Sequence, residues 1–321
     1  MGKINYFDII FPEECSVYHP GNIVNGHVRL ELLEEIRVKG VWIQFWGRAY
    51  FKETDSSSSD TGSNFGAEDA TETYYYFNMK LYETGSTIPD GLTQTDEEWQ
   101  LDAGTHTFPF EFLLPNVPSS FRGNRGYVSH SAKAIIKRPG KSDFRLEKDF
   151  NVIKPLDLNT LPKANESVKN QIIKQPNIFC CRSGPVTAFL GVDKLGYSPG
   201  ELIGLNVEIS NHSEKEVLGS NVKLYMHVLY HGKLTQGTEV QTLSCVNHPS
   251  IPPGETDVWS GDTMLVPPLS PSNLEGCNVI DIKYFLVLHV KLEEPPFDLE
   301  VPLDIIIGSV PIKMKRTLAK T

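Results

Sequence analysis

Apolar and polar positions alternate with period two wherever the chain carries a strong pattern. Val24, Gly26, Val28 and Leu30 oppose Asn25, His27, Arg29 and Glu31. Phe108, Phe110, Phe112 and Leu114 share one parity, as do Val222, Leu224, Met226, Val228 and Tyr230. Between Val279 and Leu292, the residues Ile280, Ile282, Tyr284, Leu286, Leu288 and Val290 fall on one side. Each such strand buries one face and wets the other, which is the pattern of antiparallel sheets stacked as sandwiches. No long stretch carries a 3.6-residue apolar stripe, so helices are expected to be few and short.

An internal repeat sets the organisation. Tyr18-His-Pro-Gly-Asn-Ile-Val-Asn-Gly-His-Val-Arg-Leu30 returns as Tyr197-Ser-Pro-Gly-Glu-Leu-Ile-Gly-Leu-Asn-Val-Glu-Ile209, with inward positions kept apolar or glycine. A second echo pairs Leu114-Pro-Asn-Val-Pro-Ser-Ser120 with Val266-Pro-Pro-Leu-Ser-Pro-Ser272. A repeat of half the chain is too long for a solenoid unit, so the reading is all-β: two immunoglobulin-like antiparallel β-sandwiches in tandem. The expected division is a first domain over 1–160, a polar linker over 161–178, a second domain over 179–312 and a short tail over 313–321. Residues 52–72, rich in Ser, Gly, Asp and Glu, cannot bury enough surface to offset ordering and are expected to form a mobile acidic loop between two strands. That loop is open to phosphorylation or is a tolerated surface insertion.

Composition narrows the function classes. At 321 residues the chain has room for about two domains of ordinary size. Forty acidic against thirty basic residues give a formal net charge of -10, which repels a nucleic-acid backbone overall. Five cysteines, an odd number, make no disulfide framework and point to the cytosol. The N-terminus lacks a secretory signal, and Tyr6 stands where a myristoylation signal prefers Ser or Thr. No GxSxG elbow, phosphate-cradling glycine loop, HExxH or CxxC is present, so no enzyme, cofactor or metal is expected. Cys180, Cys181, Cys245, His248 and Cys277 have zinc-ligand chemistry, but adjacent cysteines rarely both reach one tetrahedral ion. Cys180 and Cys181 precede Arg182 and are candidates for reversible acylation, with small inert thiols as the alternative.

The charge map is more informative. Between Arg122 and Lys148 lie eight basic residues against two acidic ones, although the whole chain is acidic. Lys133 and Lys137 share a parity on the strand starting near Tyr127 and should point the same way. Lys133, Lys137, Arg138, Arg145 and Lys148 are the candidate partner-binding patch. Such a cluster can read acidic or phosphorylated peptide, or touch anionic headgroups; the plain alternative is a solvated strand face.

Several ordered segments then resemble one family. They are the Tyr-x-Pro-Gly turn within Val17 to Leu30; Gly104-Thr-His-Thr-Phe-Pro-Phe-Glu-Phe-Leu-Leu-Pro115, continuing through Pro118-Ser-Ser-Phe-Arg-Gly123; and Lys133-Ala134 with Arg138-Pro139, leading to Asp157-Leu-Asn159. In the second half they are Cys180-Cys181 with Ser183-Gly-Pro185, Gly196-Tyr-Ser-Pro-Gly-Glu201, Gly276-Cys-Asn278 and Ile306-Ile-Gly308. In this order, across nearly the whole chain, they resemble the α-arrestin (arrestin domain-containing) family. The resemblance implies a non-enzymatic adaptor with an N-terminal and a C-terminal arrestin domain, cytoplasmic and peripheral at plasma membrane and endosomes. It would bind cytosolic tails of membrane receptors or transporters and direct their ubiquitin-linked endocytosis, with WW-domain ubiquitin ligases recruited through PPxY motifs of a C-terminal tail that is not among these residues.

Two departures limit what the resemblance transfers. PPxY, the ligase-recruiting motif of the family, is absent: Pro295-Pro-Phe-Asp298 and Pro267-Pro-Leu-Ser270 both fail at the fourth position. The paired lysines that β-arrestins carry on the first strand have no equivalent in Ile9-Ile-Phe-Pro-Glu-Glu14, and Ser129 stands where a basic residue often precedes the Lys-Ala strand. Alternatives from other classes are an arrestin-fold subunit of an endosomal sorting coat, and a redox partner that captures a thioredoxin-like protein through Cys245 or Cys277.

Overall fold

The computed structural model describes residues 4–12, 17–53, 69–82, 92–95, 98–175, 177–178, 181–182, 184–293 and 298–313. Strands dominate, and the helical pieces among the described residues are 3-10 turns at Leu158–Thr160, Pro162–Asn165 and Ser272–Leu274. The chain forms two compact units, the first comprising Met1–Lys154 with His231–Thr235 and Glu275–Ile280, the second the remainder.

In the first unit, strands Ile4–Ile10, Ile23–Leu32 and Gly104–Leu113 make one antiparallel sheet. The other runs in the order Val17–Tyr18, Phe144–Val152, Gly126–Lys137, Gly40–Phe51, Ala70–Tyr82. The alternation read from the sequence becomes the core between the sheets: Val24, Val28 and Leu30 meet Phe108, Phe110 and Phe112, with Ile43, Phe45, Ala132, Ala134 and Ile136 from the longer sheet. Phe45 stacks on Phe112 at 4.6 Å and 8°. Ring pairs of this kind add to the free energy of burying their area.

The second unit repeats the plan. Strands Val168–Lys174, Val186–Val192, Asn206–Asn211 and Thr256–Val258 form one sheet. The other follows the order Gly196–Tyr197, Leu299–Ile307, Ile280–Leu292, Val217–His231, Gln236–His248, which matches the long sheet of the first unit position by position. Equivalence extends to single hydrogen bonds. The turns at His19–Asn22 and Ser198–Glu201 both close with the fourth N–H donating to the first carbonyl, at 2.9 and 3.0 Å. Pro20 and Pro199 sit second, and Gly21 and Gly200 third with φ of 85° and 89°, as a type II turn requires. Tyr18 and Tyr197 both lie on short strands that pair in parallel with the last strand of their unit. Ser120 Oγ accepts from Val152 N at 3.0 Å, and Ser272 Oγ accepts from Ile307 N at 2.9 Å, so the two Pro-rich echoes dock in the same way.

Two expectations are corrected. The segment 161–178 is not a structureless linker: it holds the turn Pro162–Asn165 and the strand Val168–Lys174, which pairs with Val186–Val192. That strand is the edge of its sheet and only half-buried, so polar residues take inward positions and mask the alternation; Asn170 donates to Pro302 O at 2.8 Å and Lys174 to Asp298 O at 3.1 Å. The acidic loop expected over 52–72 is structured at both ends, its middle lying outside the described residues. Glu53 is only 4% exposed, and residues 70–72 already belong to the strand Ala70–Tyr82.

Candidate functional site

The strand Gly126–Lys137 places Ala132, Ala134 and Ile136 in the core, and therefore Lys133 and Lys137 on the outer face of the long sheet. Its neighbour Gly40–Phe51 does the same with Trp42, Gln44 and Trp46, since Val41, Ile43 and Phe45 are buried. Lys137 Nζ lies 4.4 Å from the centroid of Trp42, and Lys133 Nζ lies 5.8 Å from that of Trp46. A β-bulge between Val41 and Trp42 brings Lys80 of the strand Ala70–Tyr82 opposite Trp42, with its Nζ 5.2 Å from the same ring. Room for this arrangement comes from Gly40: a Cβ there would stand 2.7 Å from Trp42 Cη2 and 3.1 Å from Lys80 Cε.

Beyond this clamp the same end of the sheet stays cationic. Lys39 N donates to Lys137 O at 2.8 Å, and its side chain is exposed. A cleft of about 570 Å³ opens between Arg37 on one side and Arg138, Gly140 and Lys141 on the other. Glu35 lies on its wall and accepts from Gln100 Nε2 at 2.7 Å. Lys39, Lys80, Lys137, Arg138 and Lys141 thus gather at one end of the long sheet, joined by Arg37 from Ile36–Val38, a strand of a separate small sheet, in a chain of net charge -10. Lys137 has no carboxylate partner among the described residues, so its charge stands available to an incoming anion.

The structure divides the five-residue patch drawn from sequence. Lys133, Lys137 and Arg145 share the outer face, although Lys133 has Glu147 at 3.9 Å and Arg145 has Asp143 at 3.1 Å. Arg138 sits at the strand end as part of its turn: its guanidinium stacks 3.6 Å over Phe144, and Nε and Nη2 donate to Ser142 O. Lys148 faces the other way. It has the parity of Leu146 and Phe150, and its ammonium donates to Ile9 O at 2.8 Å and pairs with Asp8 at 3.2 Å, which ties the long sheet to the first strand. The residues that replace it, Trp42, Lys80 and Arg37, left only a faint signal in the sequence: the tryptophans share the parity of Gln44, opposite to the apolar Val41, Ile43 and Phe45.

A buried carboxylate was missed altogether. Glu53 Oε1 accepts from Lys233 N at 2.6 Å, and Oε2 accepts from Thr235 N at 3.1 Å, Thr235 Oγ1 at 3.0 Å and Leu234 N at 3.3 Å, all within the first unit. Burial pushes this carboxyl up, but the four donors outweigh it and hold the group below the usual glutamate value. At the other end of the acidic insertion Glu72 accepts from Asn278 N at 2.9 Å and from Asn278 Nδ2 at 2.6 Å. The two acids therefore fasten 231–235 and 275–280 into the unit.

The cysteine readings find little chemistry. Cys15 and Cys180 lie outside the described residues, as does the side chain of Cys181, whose backbone pairs with Ile178. Cys245 is exposed, whereas burial pushes the Cys277 thiol up and its sulfur accepts from Ile280 N at 3.2 Å. Among the described residues no group of three or more His, Cys, Asp or Glu is arranged to hold a metal ion. His248 instead stacks on Trp259 at 3.9 Å and faces Asp257 and Asp262. Among those residues no helix is long and apolar enough to cross a membrane.

Comparison with known proteins accounts for the duplicated plan. Residues 7–159 match the model of the arrestin (or S-antigen) N-terminal domain, and residues 182–312 match that of the C-terminal domain. Arrestin domain-containing protein 17 of Caenorhabditis elegans is 30% identical over 97% of this chain and 72% of its own length. Arrestin domain-containing protein 4 of Mus musculus is 28% identical over 97% and 73%. Two sandwiches with one strand order, each matched by its own half of a two-domain family, establish that the chain belongs to the arrestin family, alongside the arrestin domain-containing proteins.

Proposed function

We infer that this protein is a non-enzymatic adaptor that binds acidic or phosphorylated cytosolic segments of membrane receptors or transporters and directs their ubiquitin-linked endocytosis and sorting. The observation that carries the reading is the cationic end of the long sheet in the first unit, where Arg37, Lys137 and Lys141 stand exposed on an otherwise acidic protein. Arginine forks and ammonium groups recognise carboxylate and phosphate by charge-assisted hydrogen bonds, and the cleft leaves room for such a group between the strand Ile36–Val38 and the segment Arg138 to Lys141. The working location is the cytoplasmic face of plasma membrane and endosomes. Ligase recruitment requires a PPxY motif, which these residues do not contain, so an isolated WW domain is expected not to bind this chain.

The test is capture of acidic and phosphorylated receptor-tail peptides by the full chain. Replacing Arg37, Lys137 and Lys141 together by Glu should weaken capture roughly tenfold or more and flatten its salt dependence. Binding that survives the triple reversal removes this end of the sheet as the site. Of the two cysteines in the redox alternative, Cys245 is exposed, while Cys277 is half-buried with its thiol pushed up by burial, which favours Cys245 as the capturing residue.

A further inference from the structure

The two lysine–tryptophan contacts are the same contact made twice. Trp46 pairs with Ser131, and Lys133 lies two residues beyond that partner; Trp42 pairs with Ile135, and Lys137 lies two residues beyond that one. In each case the ammonium reaches diagonally across the antiparallel pair onto the indole, a separation long side chains span readily. The two rungs are four residues apart on both strands, which at ~3.3 Å per residue sets them ~13 Å apart on one face. Between them the floor is Gln44 and the buried Ile135, with Asn78 opposite Gln44.

We propose that this pair of rungs is a ruler for an extended acidic peptide, taking anionic side chains at positions i and i+4 of the bound segment. The proposal deepens the adaptor reading and rests on it. An extended ligand advances at the same rise per residue as the strands beneath it, so side chains four apart point to the same side and reach both rungs, whereas i+3 points away. An ammonium laid over an indole has its stem already ordered and its charge partly desolvated, which lowers the cost of taking a carboxylate. The rungs are unequal. At Trp42 the ammonium of Lys137, which has no carboxylate partner among the described residues, lies over a ring that Lys80 also approaches, a setting suited to the larger charge of a phosphate; at Trp46 Lys133 already faces Glu147 at 3.9 Å, which suits a single carboxylate. The i+2 side chain meets Gln44 and Asn78 and should be polar.

The experiment is fluorescence anisotropy of labelled twelve-residue peptides on the full chain, with equal net charge and two glutamates spaced i,i+2, i,i+3 or i,i+4. A second set carries phosphoserine at either acidic position. The i,i+4 peptide should bind at least tenfold tighter than the others, and phosphoserine should strengthen binding at one position only. Lys133→Met and Lys137→Met, which keep the stems over the indoles, should each abolish the spacing preference. Binding indifferent to spacing, yet lost in the Arg37, Lys137 and Lys141 triple variant, overturns the ruler and leaves the adaptor site standing. No binding of any acidic peptide overturns both. Attachment to phosphatidylserine vesicles that depends on Trp42 and Trp46, without peptide discrimination, overturns the ruler in favour of a membrane contact.

Discussion

His130 shows how one buried polar residue ties acidity to stability. It faces Tyr75 directly across Gly47, and a Cβ at Gly47 would stand 2.8 Å from the imidazole and 2.4 Å from the tyrosine ring. Glycine there lets the two rings stack at 14°, with Tyr75 Oη donating to Nδ1 at 3.2 Å and Nε2 donating to Pro118 O at 3.0 Å. Both ring nitrogens are used by the neutral tautomer, and burial lowers the group from 6.5 to about 4. The unfolded chain therefore takes up a proton at higher pH than the folded one. Stability of the first unit should be full above ~6.5 and fall by as much as ~3 kcal/mol as pH drops through that interval to about 4. Urea midpoints at pH 7 and pH 5 read this loss, and His130→Asn should flatten it. Glu53 responds in a lower window. Its carboxyl is held below the ordinary value, so its contribution is present at neutral pH and fades as pH falls through the depressed value. Hydrogen exchange at the Lys233 and Thr235 amides should quicken in Glu53→Gln at pH 7, and the difference from the parent should close in acid. Gly232→Ala should do the same without changing charge, because a Cβ there would come within 2.3 Å of Glu53 Oε1. Neither residue was legible from local sequence: Glu53 sits in an acidic run, and its donors are some 180 residues away.

At the scale of elements, the duplication makes a prediction that a single domain could not. Ser120→Ala and Ser272→Ala each remove the hydroxyl that accepts the N–H of the last strand, leaving a donor unmet at the same topological place. Each substitution should cost roughly 1–2 kcal/mol, and the two costs should match to within their error when the units are followed separately by hydrogen exchange. Unequal costs would mean that the echo between 114–120 and 266–272 is a likeness of letters rather than of structure. Period-two alternation was readable wherever a strand has one wet and one dry face, as with Ile280, Ile282, Tyr284, Leu286, Leu288 and Val290, all of which are buried while the residues between them are not. It failed in the edge strand Val168–Lys174, where half-burial admits Asn170 and Lys174 to the inward side. Parity also held the correction for Lys148: Leu146, Lys148 and Phe150 share a side, and counting along Phe144–Val152 separates that lysine from Arg145. Cross-strand partners are another matter. Lys80 reaches Trp42 only because a bulge shifts the register by one residue, and nothing local in residues 70–82 announces it.

For the whole molecule, the decisive quantity is the contrast between a net charge of -10 and a cationic end built from few residues. At low salt, where the Debye length reaches about 30 Å at 0.01 M, an approaching acidic peptide meets the repulsion of the whole acidic surface; at 0.1 M the length is about 10 Å, and close to the sheet end the peptide meets chiefly Arg37, Lys137 and Lys141. Added salt therefore relaxes the distant repulsion while weakening the close attraction. Electrostatically steered partners lose association rate steeply as salt rises, because for them the long-range field is attractive. Here the association rate should stay nearly flat or climb between 20 and 200 mM salt, with the loss of affinity appearing in dissociation. Stopped-flow anisotropy with an acidic peptide separates the two rates. A steep fall in association rate over that range would mean that the field of the cationic end dominates at long distance, and would remove net charge as the filter that lets a short acidic segment dock while long polyanions are turned away.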